Sequence, residues 1–221
     1  MNFICKIKNL NKSFSGDVVL SDINLDIYKG DMIAITGKSG SGKSTFLNII
    51  GLLEKPTSGE INLFGKNIVR ASKTVRNELL REKITYLFQS YALIENETIG
   101  QNLDVSLIYS KADKREKKLL KEEALNKVGV EYPLNTKIYS LSGGEQQRVA
   151  LARILLRPSE IILADEPTGS LDPKTKADIL DLLVKLNNVG KTIIIVTHDE
   201  YLTSKCTRKF KLIHGNLEIC S

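Results

Sequence analysis

The stretch Gly37, Lys38, Ser39, Gly40, Ser41, Gly42, Lys43, Ser44, Thr45 leaves this chain little choice of local fold. Before it, residues 32–36 (MIAIT) form an apolar run that reads as a buried strand. After it, residues 46–50 (FLNII) read as a helix. A glycine-rich turn between a strand and a helix lets successive backbone N–H groups converge on one point, at the positive end of the helix dipole. The spacing fits G-x-x-x-x-G-K-[ST], in which the lysine, here Lys43, reaches terminal phosphates and the hydroxyl, here Ser44, sits on Mg²⁺. The plainer alternative is a flexible glycine-serine turn before a helix.

At 221 residues and 42% hydrophobic, the chain can bury a substantial core as one domain. Lys+Arg 32 against Asp+Glu 26 leaves a net charge of +6. No long basic block accompanies that charge, so no nucleic-acid partner is expected. A cytoplasmic membrane face, an acidic partner or an ordinary solvated surface all fit it. Cys5, Cys206 and Cys220 make neither a metal-ligand spacing nor an even disulfide set, which suggests a reducing compartment. The opening residues carry no apolar leader, and no run approaches the length of a bilayer span. The chain is expected to be soluble by itself, with another polypeptide supplying any membrane part.

Around the glycine loop the chain reads as alternating strands and helices. Phe3, Cys5 and Ile7, then Ile23, Leu25 and Ile27, alternate with polar residues on either side of Ser15-Gly16-Asp17, predicting antiparallel strands. Phe14, placed in the turn, is either a core anchor or a platform on which a base stacks. Residues 74–83 look helical, and residues 84–88 look like a buried strand that ends at Gln89. That is where open α/β sheets place ligand contacts. Residues 98–128 read as helical, with a cap-like start at Asp113 and Glu116 and a charged outer face.

Ser142, Gly143, Gly144 and Glu145 form a capping box that opens a helix running toward Leu156. Two glycines in a first turn cost about 1 kcal/mol each relative to alanine. Either the site is a plain cap, or something approaches the backbone closely, with an anion as the natural candidate. Residues 161–164 make a short strand ending in Asp165-Glu166. Adjacent carboxylates there are costly without a cation or a proton, so Asp165 is placed for Mg²⁺ and Glu166 to orient a water. A solvated acidic turn is the alternative. Residues 192–197 repeat the pattern and deliver His198, either structural or a contact to a terminal phosphate. A short helix follows Asp199, and two strands near 207–213 and 216–220 meet at Gly215-Asn216.

Assembled in order, these residues resemble the nucleotide-binding subunit of an ATP-binding cassette (ABC) transporter. The loop at 37–45, Gln89 as Q-loop, residues 141–146 (LSGGEQ) as signature and residues 161–166 as the Walker B strand carry the resemblance. Ser170-Leu171-Asp172 resembles the D-loop, His198 the switch histidine, and Phe14 falls at the stacking aromatic, where tyrosine is commoner. The resemblance implies an α/β fold over 1–221. It has a P-loop NTPase (RecA-like) core, an antiparallel β subdomain and a helical signature-motif subdomain at roughly 90–156. It implies a head-to-tail homodimer sandwiching two ATP molecules, each between one copy's phosphate loop (Phe14 and residues 37–45) and the other's Ser142, Gly143, Gly144 and Glu145. Glu166, His198, Lys43 and Gln89 would carry hydrolysis, with Mg²⁺ on Ser44, Gln89 and Asp165. Residues 90–102 would face a transmembrane permease subunit, placing the chain at the cytoplasmic face of the cell membrane.

Residues 164–172 (ADEPTGSLD) and 88–93 (FQSYAL) are similar to the group that exports macrolides, releases lipoproteins or exports antimicrobial peptides. Within that group the reading favours bacteriocin or peptide export or resistance. A signalling ATPase that relays movement to a cell-wall hydrolase shares every motif. Soluble ABC proteins of translation or repair fit less well, since paired cassettes, zinc inserts and long coiled coils are missing. A small GTPase is disfavoured, because residues 11–14 (NKSF) lack the aspartate of N-K-x-D.

Overall fold

A computed structural model describes residues 3–169 and 171–220. Strands β1 (Phe3–Phe14) and β2 (Asp17–Tyr28) form a long antiparallel hairpin. Its turn residues Ser15 and Gly16 both lie at positive φ, 49° and 97°. Phe14 therefore closes β1 opposite Asp17 rather than sitting in the turn. With β4 (Ser58–Leu63) and β5 (Lys66–Asn67) the hairpin makes a four-stranded sheet in the order β2-β1-β4-β5.

The second sheet has the order β10-β9-β3-β8-β7-β6. Strands β3 (Met32–Thr36), β6 (Ile84–Leu87), β7 (Ile161–Asp165), β8 (Thr192–Val196) and β9 (Arg208–Ile213) run parallel, and β10 (Asn216–Ile219) is an antiparallel edge. Parallel pairing demands crossovers. They contain α1 (Lys43–Ile50), α2 (Lys73–Glu82), α5 (Gly143–Leu155), α6 (Pro173–Asn188) and α7 (Glu200–Ser204). Helices α3 (Ile99–Asp104) and α4 (Lys114–Lys127) come between β6 and α5.

Period-two alternation sorts these strands into two cores. Ile33, Ile35, Ile161, Leu163, Ile194 and Val196 face the antiparallel sheet, with Phe46, Leu47, Ile49 and Ile50 of α1 buried among them. Met32, Ala34, Ile162, Ala164, Ile193 and Ile195 face the other way, onto α5 and α6. The helix behind the glycine loop thus lies in the first core. Leu87 pairs with Ala164, Asp165 with Val196, and Ile35 with Val196, so the strands end in register along one edge. Whatever follows each strand arrives at that edge, where open α/β sheets hold ligands.

Two local expectations shift. The helical stretch at 98–128 breaks into α3, a short 3₁₀ turn (Val105–Leu107) and α4, because Asp113 accepts from the backbone N–H groups of Arg115 and Glu116 and starts a new helix. The final hairpin turns at His214-Gly215 rather than Gly215-Asn216. Both residues have positive φ (47° and 81°), the geometry of a type I′ turn. Ser21 N–H donates to the Gly215 carbonyl at 2.8 Å, fixing that turn against β2.

Candidate active site

The glycine loop joins β3 to α1 through Gly37, Gly40 and Gly42, all at positive φ (150°, 75° and 99°). At Gly37 a Cβ would lie 2.6 Å from the Leu212 carbonyl oxygen and 2.7 Å from Ser41 Oγ, so no side chain fits. Lys43 folds back, its ammonium donating to the carbonyls of Gly37 (2.8 Å) and Lys38 (2.9 Å) and holding the charge inside the loop. Helix α1 begins at Gly42 with no side-chain cap and no acidic residue in its first turn. Each of the other described α-helices is capped by a serine, threonine or aspartate side chain. The uncapped turn keeps first-turn N–H groups directed at the loop, where an anion is favoured. Ser41 Oγ is buried there without a hydrogen-bond partner among the described residues.

Gly37, Ser39, Gly40, Gly42, Lys43, Ser44 and Thr45 line a cleft of about 650 Å³ together with Phe14, Val19, Gln89, Asp165, Glu166 and His198. Ser44 Oγ donates to Asp165 Oδ1 at 3.2 Å, linking the first turn of α1 to the end of β7. Burial pushes the Asp165 carboxyl above its usual 3.8. The Ser44 hydrogen bond opposes this and the Glu166 charge adds to it. Glu166 has φ +44°, and its N–H donates to the Val196 carbonyl at 2.9 Å, carrying the β7–β8 pairing one residue further. Its two oxygens are held separately. Thr197 Oγ1 donates to Oε2 at 3.0 Å, and His198 Nδ1 lies 2.9 Å from Oε1. The Glu166 side chain is 16% exposed against 72% for His198, so the imidazole reaches outward over a sheltered carboxylate.

The capping box at Ser142 is formed. Ser142 N–H and Oγ–H both donate to Glu145 Oε2 at 2.8 Å, and Glu145 N–H returns to Ser142 Oγ at 3.4 Å. Tyr132 donates its hydroxyl to the other oxygen, Oε1, at 2.9 Å. The Ser142 backbone and hydroxyl bonds, and then Tyr132, hold the Glu145 carboxyl below its usual range. The close approach expected at the two glycines lies partly within the chain. A Cβ on Gly144 would come 2.8 Å from Thr175 Cγ2, and one on Gly143 would come 3.1 Å from the Tyr91 hydroxyl. Ser142 and Gly143 remain exposed. None of residues 142–145 is among those lining the cleft. Asp172 caps α6 through Lys174 and Thr175, and Ser170 lies outside the described residues.

Phe14 is 43% exposed, which removes the core-anchor reading and leaves its ring on the wall of the cleft. Three residues that sequence reasoning passed over hold the predicted site residues in place. Thr197 holds Glu166, Tyr132 holds Glu145, and Lys12 lies under Phe14 at 4.3 Å. Lys12 had a legible signal, since residues two apart on a strand share a face. Thr197 and Tyr132 act through tertiary contacts that no spacing encodes. A larger cleft of about 1000 Å³ lies between α2 and the 3₁₀ turn, lined by Arg81, Phe88, Val105, Tyr109 and Arg153 among others. It gathers no glycine loop and no paired acids, so chemistry rather than size marks the smaller cleft as the candidate site.

A family model described as ABC transporter matches residues 20–169, about two-thirds of the chain. The macrolide export ATP-binding/permease protein MacB of Haemophilus ducreyi is 41% identical over 218 residues, which is 97% of this chain and 31% of that protein. MacB of Escherichia coli strain K12 is 38% identical over 221 residues, 98% of this chain and 34% of that protein. The chain therefore spans about a third of the length of the curated relatives it matches. Among solved structures, the dimeric post-hydrolysis state of the cassette MJ0796 bound to ADP and Pi has a TM-score of 0.89 and 38% identity. That match covers 97% of this chain and 96% of that one. The structure of cbiO1 from Clostridium perfringens, part of the ABC transporter complex cbiONQ, has a TM-score of 0.88 and 32% identity. It covers 99% of this chain and 88% of that one. The chain belongs to the ABC transporter family.

Proposed function

We propose that this chain is the motor of an export system, working as a head-to-tail homodimer that closes on two ATP molecules and reopens after hydrolysis. One observation carries the reading. The cleft collects Phe14, the phosphate loop, Gln89, Asp165, Glu166 and His198, while the exposed Ser142 and Gly143 stand outside its lining. A second copy is the simplest source of the missing wall, and the dimeric structures solved for a similar cassette support it.

In this reading Lys43 and the uncapped N–H groups of α1 hold the phosphates. The donors around Ser44 are a hydroxyl, the Asp165 carboxylate and the Gln89 amide, all oxygen ligands, which suits Mg²⁺. Mg²⁺, when bound, neutralises charge on the phosphate oxygens. Glu166, fixed by Thr197 and His198, orients the attacking water, and His198 and Lys43 stabilise charge on the terminal phosphate. Ser142, Gly143 and Gly144, with Glu145 shaping the turn, contact the partner's nucleotide.

We take the elements between residues 90 and 156 as the lobe that carries this turn and meets a permease. Among the described residues no helix is long and apolar enough to cross a membrane. Ile94, Val105, Ile108 and Tyr109 are exposed apolar groups along the larger cleft and its neighbourhood. The permease is proposed to dock there and around residues 90–102, holding the chain at the cytoplasmic face. Since the similar full-length proteins are named for macrolide export, an amphipathic macrolide or peptide is the proposed cargo.

The test is ATP hydrolysis by the purified chain. Lys43→Ala should lose nucleotide affinity and turnover together, whereas Glu166→Gln should lose turnover and keep ATP bound. Equal retention of turnover in both variants would sink the assignment of this cleft.

A further inference from the structure

Lys12 is a buried cation, 8% exposed, near the end of an otherwise ordinary strand. Charged groups are seldom buried unless paired. An ammonium has three N–H donors, and here each direction is accounted for. One hydrogen bond goes to Glu54 Oε1 at 2.8 Å and one to the Lys55 carbonyl at 2.9 Å, and Nζ stands 4.3 Å from the centroid of the Phe14 ring. At that distance the ammonium covers one face of the phenyl group. The ring also lines the nucleotide cleft and remains 43% exposed.

The anchor matters as much as the contact. Leu53 N–H and Glu54 N–H both donate to the Asn48 carbonyl inside α1, at 2.8 and 3.2 Å, so Glu54 moves with that helix. Neighbouring bonds repeat the link. Thr57 N–H donates to the Asn11 carbonyl at 2.9 Å, and Ser13 N–H donates to Thr57 Oγ1 at 3.0 Å. The end of β1 is therefore referenced to the far end of the helix whose first residue is Lys43. A ring on a hairpin end has torsional freedom. A cation held against one face removes part of it and leaves the other face for a ligand. The cation also draws electron density from the ring, which lowers repulsion against the π cloud of a stacked purine.

We propose that Lys12 is the positioning residue for the purine base: clamped to Glu54 and Lys55, it fixes and polarises the Phe14 ring at a set distance from the phosphate loop. The inference rests on reading the cleft as the nucleotide site with Phe14 as base platform. It adds a residue that touches no part of the nucleotide. A lysine serving only as a strap between β1 and α1 would loosen the whole cleft when removed, whatever the ligand.

The test compares magnesium–ATP with magnesium–tripolyphosphate, a ligand with phosphates and no base, on the full chain. Titration calorimetry or competition gives both affinities for the parent, Lys12→Met, Lys12→Arg and Phe14→Ala, alongside their melting temperatures. Lys12→Met should weaken ATP about three- to tenfold, the cost of ordering one freed ring when the base binds. Tripolyphosphate should change less than about twofold, and Lys12→Arg should restore ATP binding because the cation is kept. Equal weakening of both ligands, or of neither, overturns the proposal. Phe14→Ala separates the underlying reading. If it leaves the ATP-to-tripolyphosphate ratio at the parent value, the base platform is wrong, and if the parent binds neither ligand the nucleotide site is wrong. Should Lys12→Met fail to fold, Glu54→Gln loosens the same anchor with the lysine in place. It should shift the ratio in the same direction.

Discussion

Substituting Gly144 tests whether this glycine serves the chain's own packing or the approach of a ligand. A methyl group there meets Thr175 Cγ2 at 2.8 Å and Thr175 Oγ1 at 3.4 Å. Thr175 yields poorly. It is β-branched, lies in the first turn of α6, and its backbone N–H donates to the Asp172 cap. Overpacking of this kind costs about 1–3 kcal/mol. Alanine returns at most about 1 kcal/mol of helix propensity, so Gly144→Ala should lose up to about 2 kcal/mol. For a chain of this size that is a fall in melting temperature of up to about 8 °C. Thr175→Ser deletes the clashing methyl and keeps the hydroxyl and the backbone bond to Asp172. In that background Gly144→Ala should be neutral or stabilising by up to about 1 kcal/mol. Thermal unfolding of the four proteins gives the coupling, expected at about 1–3 kcal/mol. Additive effects would refute the packing argument. Because Gly144 is also proposed to contact the partner's nucleotide, the double variant should recover stability without recovering full ATPase. A stable double variant with no turnover would show that the glycine is needed by what binds there.

Asp165 carries a stability cost. Its pKa is higher in the folded chain, so the penalty is absent below about 3.8, grows as pH rises through the folded value, and is constant above it. Asp165→Asn should therefore melt at higher temperature than the parent at pH 7 without nucleotide or Mg²⁺, with the gap narrowing toward pH 4, and should have lost Mg²⁺-dependent turnover. An unchanged melting temperature contradicts the burial argument. Thr197→Val removes the hydroxyl that holds Glu166 Oε2, a bond to a charged group worth about 1.5–3 kcal/mol. Turnover should fall at least tenfold, with Thr197→Ser close to the parent. Gly51→Ala places a Cβ 1.5 Å from the Tyr86 hydroxyl, which itself donates to the Leu47 carbonyl at 3.1 Å. It should destabilise toward the upper end of about 1–3 kcal/mol by chemical denaturation.

What the sequence made legible was whatever short-range rules encode. The glycine loop, the capping boxes at Asp113 and Ser142, and the strands β7 and β8 follow from local spacing, and the structure contains them as expected. The fold class was legible because apolar strands alternating with helices leave few sheet orders, and the match to known cassettes agrees with it. What stayed hidden is tertiary. Nothing local shows that Gly51, at the end of α1, lacks a side chain to make room for Tyr86 from a strand 35 residues later in number. Gly143 and Gly144 read as an approach for an anion, while Tyr91 and Thr175 account for part of that space from within. The clamp on Glu166 by Thr197 depends on β7 and β8 ending together, which pairing decides and periodicity does not.

The central claim is that each cleft is half a site, closed by Ser142 and Gly143 of a second copy. Its most direct measurement is the mass of Glu166→Gln in solution by sedimentation velocity, with and without saturating magnesium–ATP. Ser142→Arg in the same background serves as the comparison. The account predicts a monomer without nucleotide, a dimer with ATP, and a monomer that still binds ATP when Ser142→Arg is added. A Glu166→Gln chain that stays monomeric with ATP bound, or a dimer indifferent to Ser142→Arg, would contradict it.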